Sequence, residues 1–254
     1  GIADADCMQK MVASNCTTTA KTVMDSRDGE QYKVQRLEDG KCWLLDNLRL
    51  DPTEPQVQIN LSVSTTNASD QTLDYFINGG RDASAKYPTA GLANWTSGYS
   101  FSQPLINADS KNTTVTSYGD GSGKVGVYYN FCAASAGSYC YGDGTSEGTS
   151  EGDADEDICP AGWRMPTGGS SGEHQAIYAA YSSNATNFRN ALSTPLSGYF
   201  VGGSASYQGT TGYFWSSTRY DSFNIYRLLV YSSNVYPQSY GNRGYGISVR
   251  CLLQ

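Results

Sequence analysis

Seven cysteines are spread through 254 residues, no two of them spaced as C-x-x-C, and His174 is the only histidine. A structural zinc site needs four such ligands, commonly in closely spaced pairs. The pattern therefore points to disulfide bridges and an oxidising, extracytoplasmic compartment. An odd count leaves at least one thiol over. The expected bridges are Cys7–Cys16 and Cys132–Cys140, which close short local loops, and Cys159–Cys251, which ties the C-terminal segment back across a long one. The long bridge removes the most chain entropy from the unfolded state. Cys42 is then left over, and Cys16–Cys42 is the alternative pairing.

The rest of the composition narrows the function. Lys and Arg number 17 against 24 acidic residues, a net charge of −7. Nucleic acid is excluded as a partner, because phosphate neutralisation needs clustered Lys and Arg. No apolar run approaches the ~18–20 residues of a membrane span, so none is expected in this chain. No signal peptide is read either, and Gly1-Ile2-Ala3-Asp4-Ala5-Asp6 reads as a trimmed start. With 39% apolar residues, the chain can bury one sizeable core.

Along the chain, Tyr32 to Leu37 alternates, Asp39-Gly40 turns, and Cys42 to Leu45 follows as a second apolar run, which predicts a β-hairpin. Residues 51–124 are rich in Asn, Ser, Thr and Gly and predict long loops. Val125 to Phe131 reads as a buried strand. The acidic stretch 141–157 has no apolar periodicity and predicts a mobile, solvated loop, its carboxylates lacking an EF-hand spacing. Ser170-Ser171-Gly172-Glu173 carries the S-x-x-E capping pattern. Ala176, Ile177, Ala180 and Tyr181 then predict one helical face, and Phe188 with Leu192 a second helix after Asn184. His174, at the helix start and without a catalytic context, is expected at the surface or in a cap. Short strands follow at 199–201, 213–215, 224–231 and 245–252. Helices plus antiparallel strands define an α+β class, and no phosphate-binding loop, nucleophile elbow or H-E-x-x-H motif occurs.

Residues 219–245 stand apart. Tyr, Ser, Asn and Gly fill fifteen of these twenty-seven positions, six of them tyrosines, the composition of a binding surface built from amphipathic rings and adaptable small polar groups. From Ser216 to Gln254 there is no Lys, Glu, Met or Trp, as diversification of pyrimidine-ending Asn codons would leave it. Period-two alternation predicts Tyr226, Leu228 and Val230 inward, and Ile225, Arg227, Leu229 and Tyr231 outward. The alternatives are a strand buried on both faces and one with its two faces exchanged. With Trp43, Trp163, Trp215 and Val249, the inward residues form the expected core.

Several blocks, in order, carry a resemblance. They are Asp25-Ser26-Arg27-Asp28-Gly29 with Tyr32, Asp39-Gly40-Lys41-Cys42-Trp43 with Asn47-Leu48, and Tyr128-Tyr129-Asn130-Phe131 with Ala133-Ala134. Cys159-Pro160-Ala161-Gly162-Trp163-Arg164-Met165-Pro166-Thr167, Phe214-Trp215-Ser216-Ser217-Thr218 and Gly246-Ile247-Ser248-Val249-Arg250-Cys251 complete the set. Together they resemble the Fibrobacter succinogenes major paralogous (FISUMP) domain over about residues 22–252. The resemblance implies a C-type lectin-like fold, related to that of the formylglycine-generating enzymes. It also implies kinship with variable proteins of diversity-generating retroelements, whose C-terminal region is mutated. The organisation expected is an N-terminal extension, 1–21, and a single domain, 22–254, with an insertion at 51–124. Ser232-Ser233-Asn234-Val235, Pro237-Gln238 and Arg243 resemble the invariant frame of such a tail. No E-P-N or W-N-D motif is present, so calcium-dependent sugar binding is not implied, nor is any other cofactor.

The expected ligand face is Tyr220, Asp221, Phe223, Asn224, Ile225, Arg227, Leu229, Tyr231, Tyr236, Ser239, Tyr240, Gly241, Asn242, Gly244 and Tyr245. The expected function is recognition of an extracellular macromolecular ligand, a protein foremost, at the cell surface or in secreted form. The alternatives are a structural surface or adhesin domain, and an enzyme related to the formylglycine generators. The latter needs a reactive cysteine pair, whereas these cysteines read as bridges, so no catalytic residue is assigned.

Overall fold

The hairpin turned by Asp39-Gly40 is present in the computed structural model, which describes residues 6–50, 105–106, 111–119, 123–135, 152–154, 157–201, 204–221 and 224–254. Strand β1 (Lys21–Met24) pairs with β2 (Gln31–Arg36), and β2 with β3 (Cys42–Leu44), each antiparallel. Gly40 takes φ +77° at the turn, a conformation that costs glycine little. Asp39 accepts a 2.9 Å hydrogen bond from the Trp43 indole and so fastens the turn to the core.

Eight further strands follow before the last two: β4 (Leu105–Ile106), β5 (Tyr128–Tyr129), β6 (Gly152–Asp153), β7 (Trp163–Arg164), β8 (Tyr199–Val201), β9 (Ser204–Ser206), β10 (Thr211–Arg219) and β11 (Asn224–Tyr231). Then come β12 (Val235–Asn242) and β13 (Leu252–Leu253). Helix α1 (Phe131–Ala134) is one turn capped by Asn130, α2 spans Glu173–Ala180 and α3 Ala185–Ala191. Among the described residues the strands form a five-stranded sheet, β1-β2-β3-β13-β7, a four-stranded sheet, β12-β11-β10-β6, and two pairs, β4-β5 and β8-β9. Every pairing of named strands is antiparallel. Mostly antiparallel strands in small sheets with two longer helices make this an α+β chain. No helix among the described residues is long and apolar enough to cross a membrane.

Two buried groups sandwich the four-stranded sheet. Trp215 and Ile225 face one, with Tyr129, Phe131, Trp163 and Ile247. Phe214, Leu228 and Val230 face the other, with Trp43, Ile177, Phe188 and Leu192 from the helix side. All expected core residues are buried except Tyr226, which is half-exposed. Of the segment predicted as a strand at 245–252, only Leu252 lies in one, β13; the residues before it form a connection whose hydrogen bonds are shared between the sheets. Ser248 accepts from Trp215, Val249 from Leu48 and Cys251 from Leu44. Within Val125 to Phe131 only Tyr128–Tyr129 pairs as a strand, and the chain turns directly into α1.

Several expectations are corrected. Cys16 bonds Cys42, and Cys7 is free. The reason is the path of the chain: single helical turns at Met8–Lys10 and Ala13–Asn15 separate Cys7 from Cys16, while Cys7 runs beside Met24 and Cys16 returns against β3. Cys159–Cys251 is bonded as expected. The Cys132–Cys140 pairing lies outside the described residues, as do most of the 51–124 stretch and most of the acidic one. At its C-terminal end that acidic stretch is structured, not simply solvated. Gly152–Asp153 forms the edge strand β6, and the Asp157 carboxylate accepts the Cys159 and Met165 amides.

Candidate functional site

The longest strands, β10, β11 and β12, build the only broad surface that the sequence marked as unusual. Two irregularities set its geometry. Between the pairs Trp215↔Arg227 and Arg219↔Ile225, β10 carries two extra residues, and Ser216 Oγ fills the gap by donating to the Tyr226 carbonyl at 2.7 Å. Between Arg227↔Ser239 and Leu229↔Tyr236, β12 carries one extra residue. This second bulge places Tyr236 and Ser239, three apart in sequence, on the same side of the sheet as Arg227 and Leu229. Pro237 sits in it, as proline can in an edge strand.

The Arg227 side is therefore an open face at its upper end. Tyr236 and Tyr231 are exposed, at 49% and 38%, and their rings meet edge to face at 5.9 Å. Leu229, Arg227 and Ser239 are half-buried between them. A cleft of about 400 Å³ opens there beside Leu229, Tyr231, Tyr236, Pro237 and Ser239. Tyr245 stacks on Tyr199 at 5.3 Å, and Tyr199 meets the edge of Tyr213 at the same distance. The Arg227 guanidinium carbon lies 4.8 Å from the Tyr213 ring centroid. Burial lowers the Arg227 pKa, while the hydroxyls of Tyr213, Tyr245, Tyr231 and Tyr199 act to raise it. The side chain nonetheless stays charged at neutral pH.

The fifteen expected positions divide. Arg227, Leu229, Tyr231, Tyr236, Ser239 and Tyr245 come together on this face. Ile225 does not: it is fully buried against Trp215's side of the core, because the face is covered at its lower end. Gly241 lies buried under Arg227, and a Cβ there would come within 2.3 Å of Nη1. Tyr240 pairs with Tyr226 on the opposite, helix-side face and stacks on Tyr220 at 4.2 Å. Asp221 and Asn224 brace the β10–β11 turn, the carboxylate accepting from the Asn224 amide and side chain. Asn242 and Gly244 form the turn after β12. Phe223 lies outside the described residues. Tyr199, Tyr207 (60% exposed) and Tyr213 were not expected at the site. Their signal was the Tyr, Ser and Gly content of 199–213, which continues the tail's composition upstream of its assumed start.

The helix side holds the face in place. Glu173 does not close a capping box; Gly172 is the N-cap of α2. Glu173 instead receives the Arg164 guanidinium as a two-pronged pair at 2.6 Å, the Thr167 amide at 3.0 Å, and the Lys41 ammonium. Burial opposes its ionisation, but these bonds outweigh burial and hold its pKa at about 2. His174 is not at the surface: it is buried against Trp43. The buried side of α2 is thus Glu173, His174 and Ile177, with Ala176 and Ala180 exposed, a rotation of the expected face. Gln238 of β12 donates to Gln175 of α2 at 2.8 Å.

Comparisons with protein-family models, with curated proteins and with solved structures find no match.

Proposed function

We propose that the chain is a surface-exposed recognition protein whose β10–β12 face binds macromolecular ligands, proteins foremost. The observation that carries this reading is the open Arg227 side of the sheet: exposed Tyr231 and Tyr236 beside half-buried Leu229, Arg227 and Ser239 around a cleft, on a sheet whose other side packs Phe214, Leu228 and Val230 against the helices. Rigidly backed aromatic rings and an arginine are the side chains that dominate binding energy at interfaces. In this proposal the scaffold is a C-type lectin-like member of the FISUMP family, and residues 219–245 are the diversified tail of a retroelement's variable protein. Supporting it are the Cys159–Cys251 bridge, which joins the C-P-A-G-W-R-M-P and S-V-R-C elements, and the paratope-like face. The two disulfides fit an extracytoplasmic location. No reaction is assigned to the chain. Sequencing the gene across a population tests the reading. Variation is expected at Arg227, Leu229, Tyr231, Tyr236 and Ser239 and not at Ile225, Leu228 or Val230. A tail that is uniform, or that varies equally at buried positions, overturns it.

A further inference from the structure

Arg227 is a cation in an unusual setting. Its neighbours on the face are neutral tyrosines and Ser239, whose Oγ lies 3.5 Å from Nε, and among the described residues it forms no ion pair. A guanidinium has five N–H donors, and here they meet far fewer acceptors. The group is also positioned: the Tyr213 ring lies alongside it, and Gly241 makes room that any Cβ would take away. A half-buried, unpaired charge costs free energy that an incoming anion recovers, and a guanidinium fork matches a carboxylate with two parallel hydrogen bonds.

Resting on the recognition reading above, we propose that Arg227 is the receptor for a carboxylate, and that the partner is a polypeptide segment presenting an Asp or Glu side chain to it with an adjacent apolar or aromatic side chain in the cleft beside Leu229 and Tyr236. One fork among neutral neighbours suits a single negative charge. Phosphate sites gather several cations or backbone amides. The chain's net charge of −7 gives acidic partners no general attraction, so selection depends on the local fork and not on the overall field.

The test uses the full chain and a random linear peptide library displayed on phage, with binders re-synthesised for titration calorimetry. Peptides that lose binding to Tyr236→Ala identify the face. The expected result is that these peptides carry an Asp or Glu next to an aromatic or aliphatic residue. Replacing that acid by its amide should weaken binding about tenfold or more, and Arg227→Gln should remove the difference between acid and amide peptides. The acid-to-amide comparison needs no protein variant, so it stands even if Arg227→Gln fails to fold. Face-dependent binders that lack an acid, or that tolerate its amide, overturn this inference and leave the recognition reading standing. A library that yields no Tyr236-dependent binder at all removes both.

Discussion

A buried imidazole with an unpartnered nitrogen is a costly residue to protonate. His174 is 1% exposed, its Nδ1 finds no hydrogen-bond partner, and burial pushes its pKa down to about 3 despite the nearby Glu173 charge. The unfolded chain binds the proton far more readily, with a pKa near 6.5. The stabilising contribution of neutral His174 is therefore complete above about pH 6.5 and is lost as pH falls toward 3. Between pH 7.5 and 4.5 the loss should reach about 2–3 kcal/mol. Asp28, raised to about 7 by burial and the Asp25 charge, and Asp157, raised to about 6 by burial, act with the opposite sign over this window. The clean measurement is thus the difference between the wild type and His174→Leu in denaturant titrations at the two pH values. The variant should gain relative to wild type on acidification, and an unchanged difference would show that His174 is solvated.

Strand β11 carries the sharpest division between scaffold and surface. Ile225 and Tyr231 share its outward parity, yet Ile225 is buried while Tyr231 is 38% exposed. Ile225→Ala should cost about 2–5 kcal/mol as a cavity mutation, whereas Tyr236→Ser should stay within about 0.5 kcal/mol. Thermal melts of the two variants decide it, and equal destabilisation would place both residues in the core. Alternation makes the inward set Leu228 and Val230 legible and, with the Asp39-Gly40 turn, the 32–45 hairpin; the bridge from Cys159 is legible from the cysteine pattern instead. What alternation cannot carry is where a face stops being covered, since that depends on Tyr129, Phe131 and Ile247 arriving from distant sequence. Nor can it carry phase across a bulge, and β12 was unreadable for that reason: one extra residue at Pro237 breaks the period that would have linked Tyr236 to Ser239. Proximity in sequence likewise favours Cys7 as the partner of Cys16, whereas the fold brings Cys42 to Cys16 instead.

Across the whole molecule, the two bridges differ in what they restrain. Cys16–Cys42 closes a separation of 26 residues and Cys159–Cys251 one of 92. On chain entropy alone the first contributes about 3–4 kcal/mol and the second about 4–5. Paired Cys→Ala variants should therefore rank in that order by denaturant midpoint, with the 159/251 pair the more damaging; the reverse order would mean that native packing, not loop closure, governs these links. The placement of β13 between β3 and β7 carries a consequence for biosynthesis. Synthesis is vectorial, so the two sides of the five-stranded sheet emerge long before the strand that seats between them. Until residue 253 has cleared the ribosome, β3 and β7 each present an unpaired edge, and an unpaired edge is a template for association with the wrong chain. Closure of the five-stranded sheet is therefore a late event that waits on the arrival of β13.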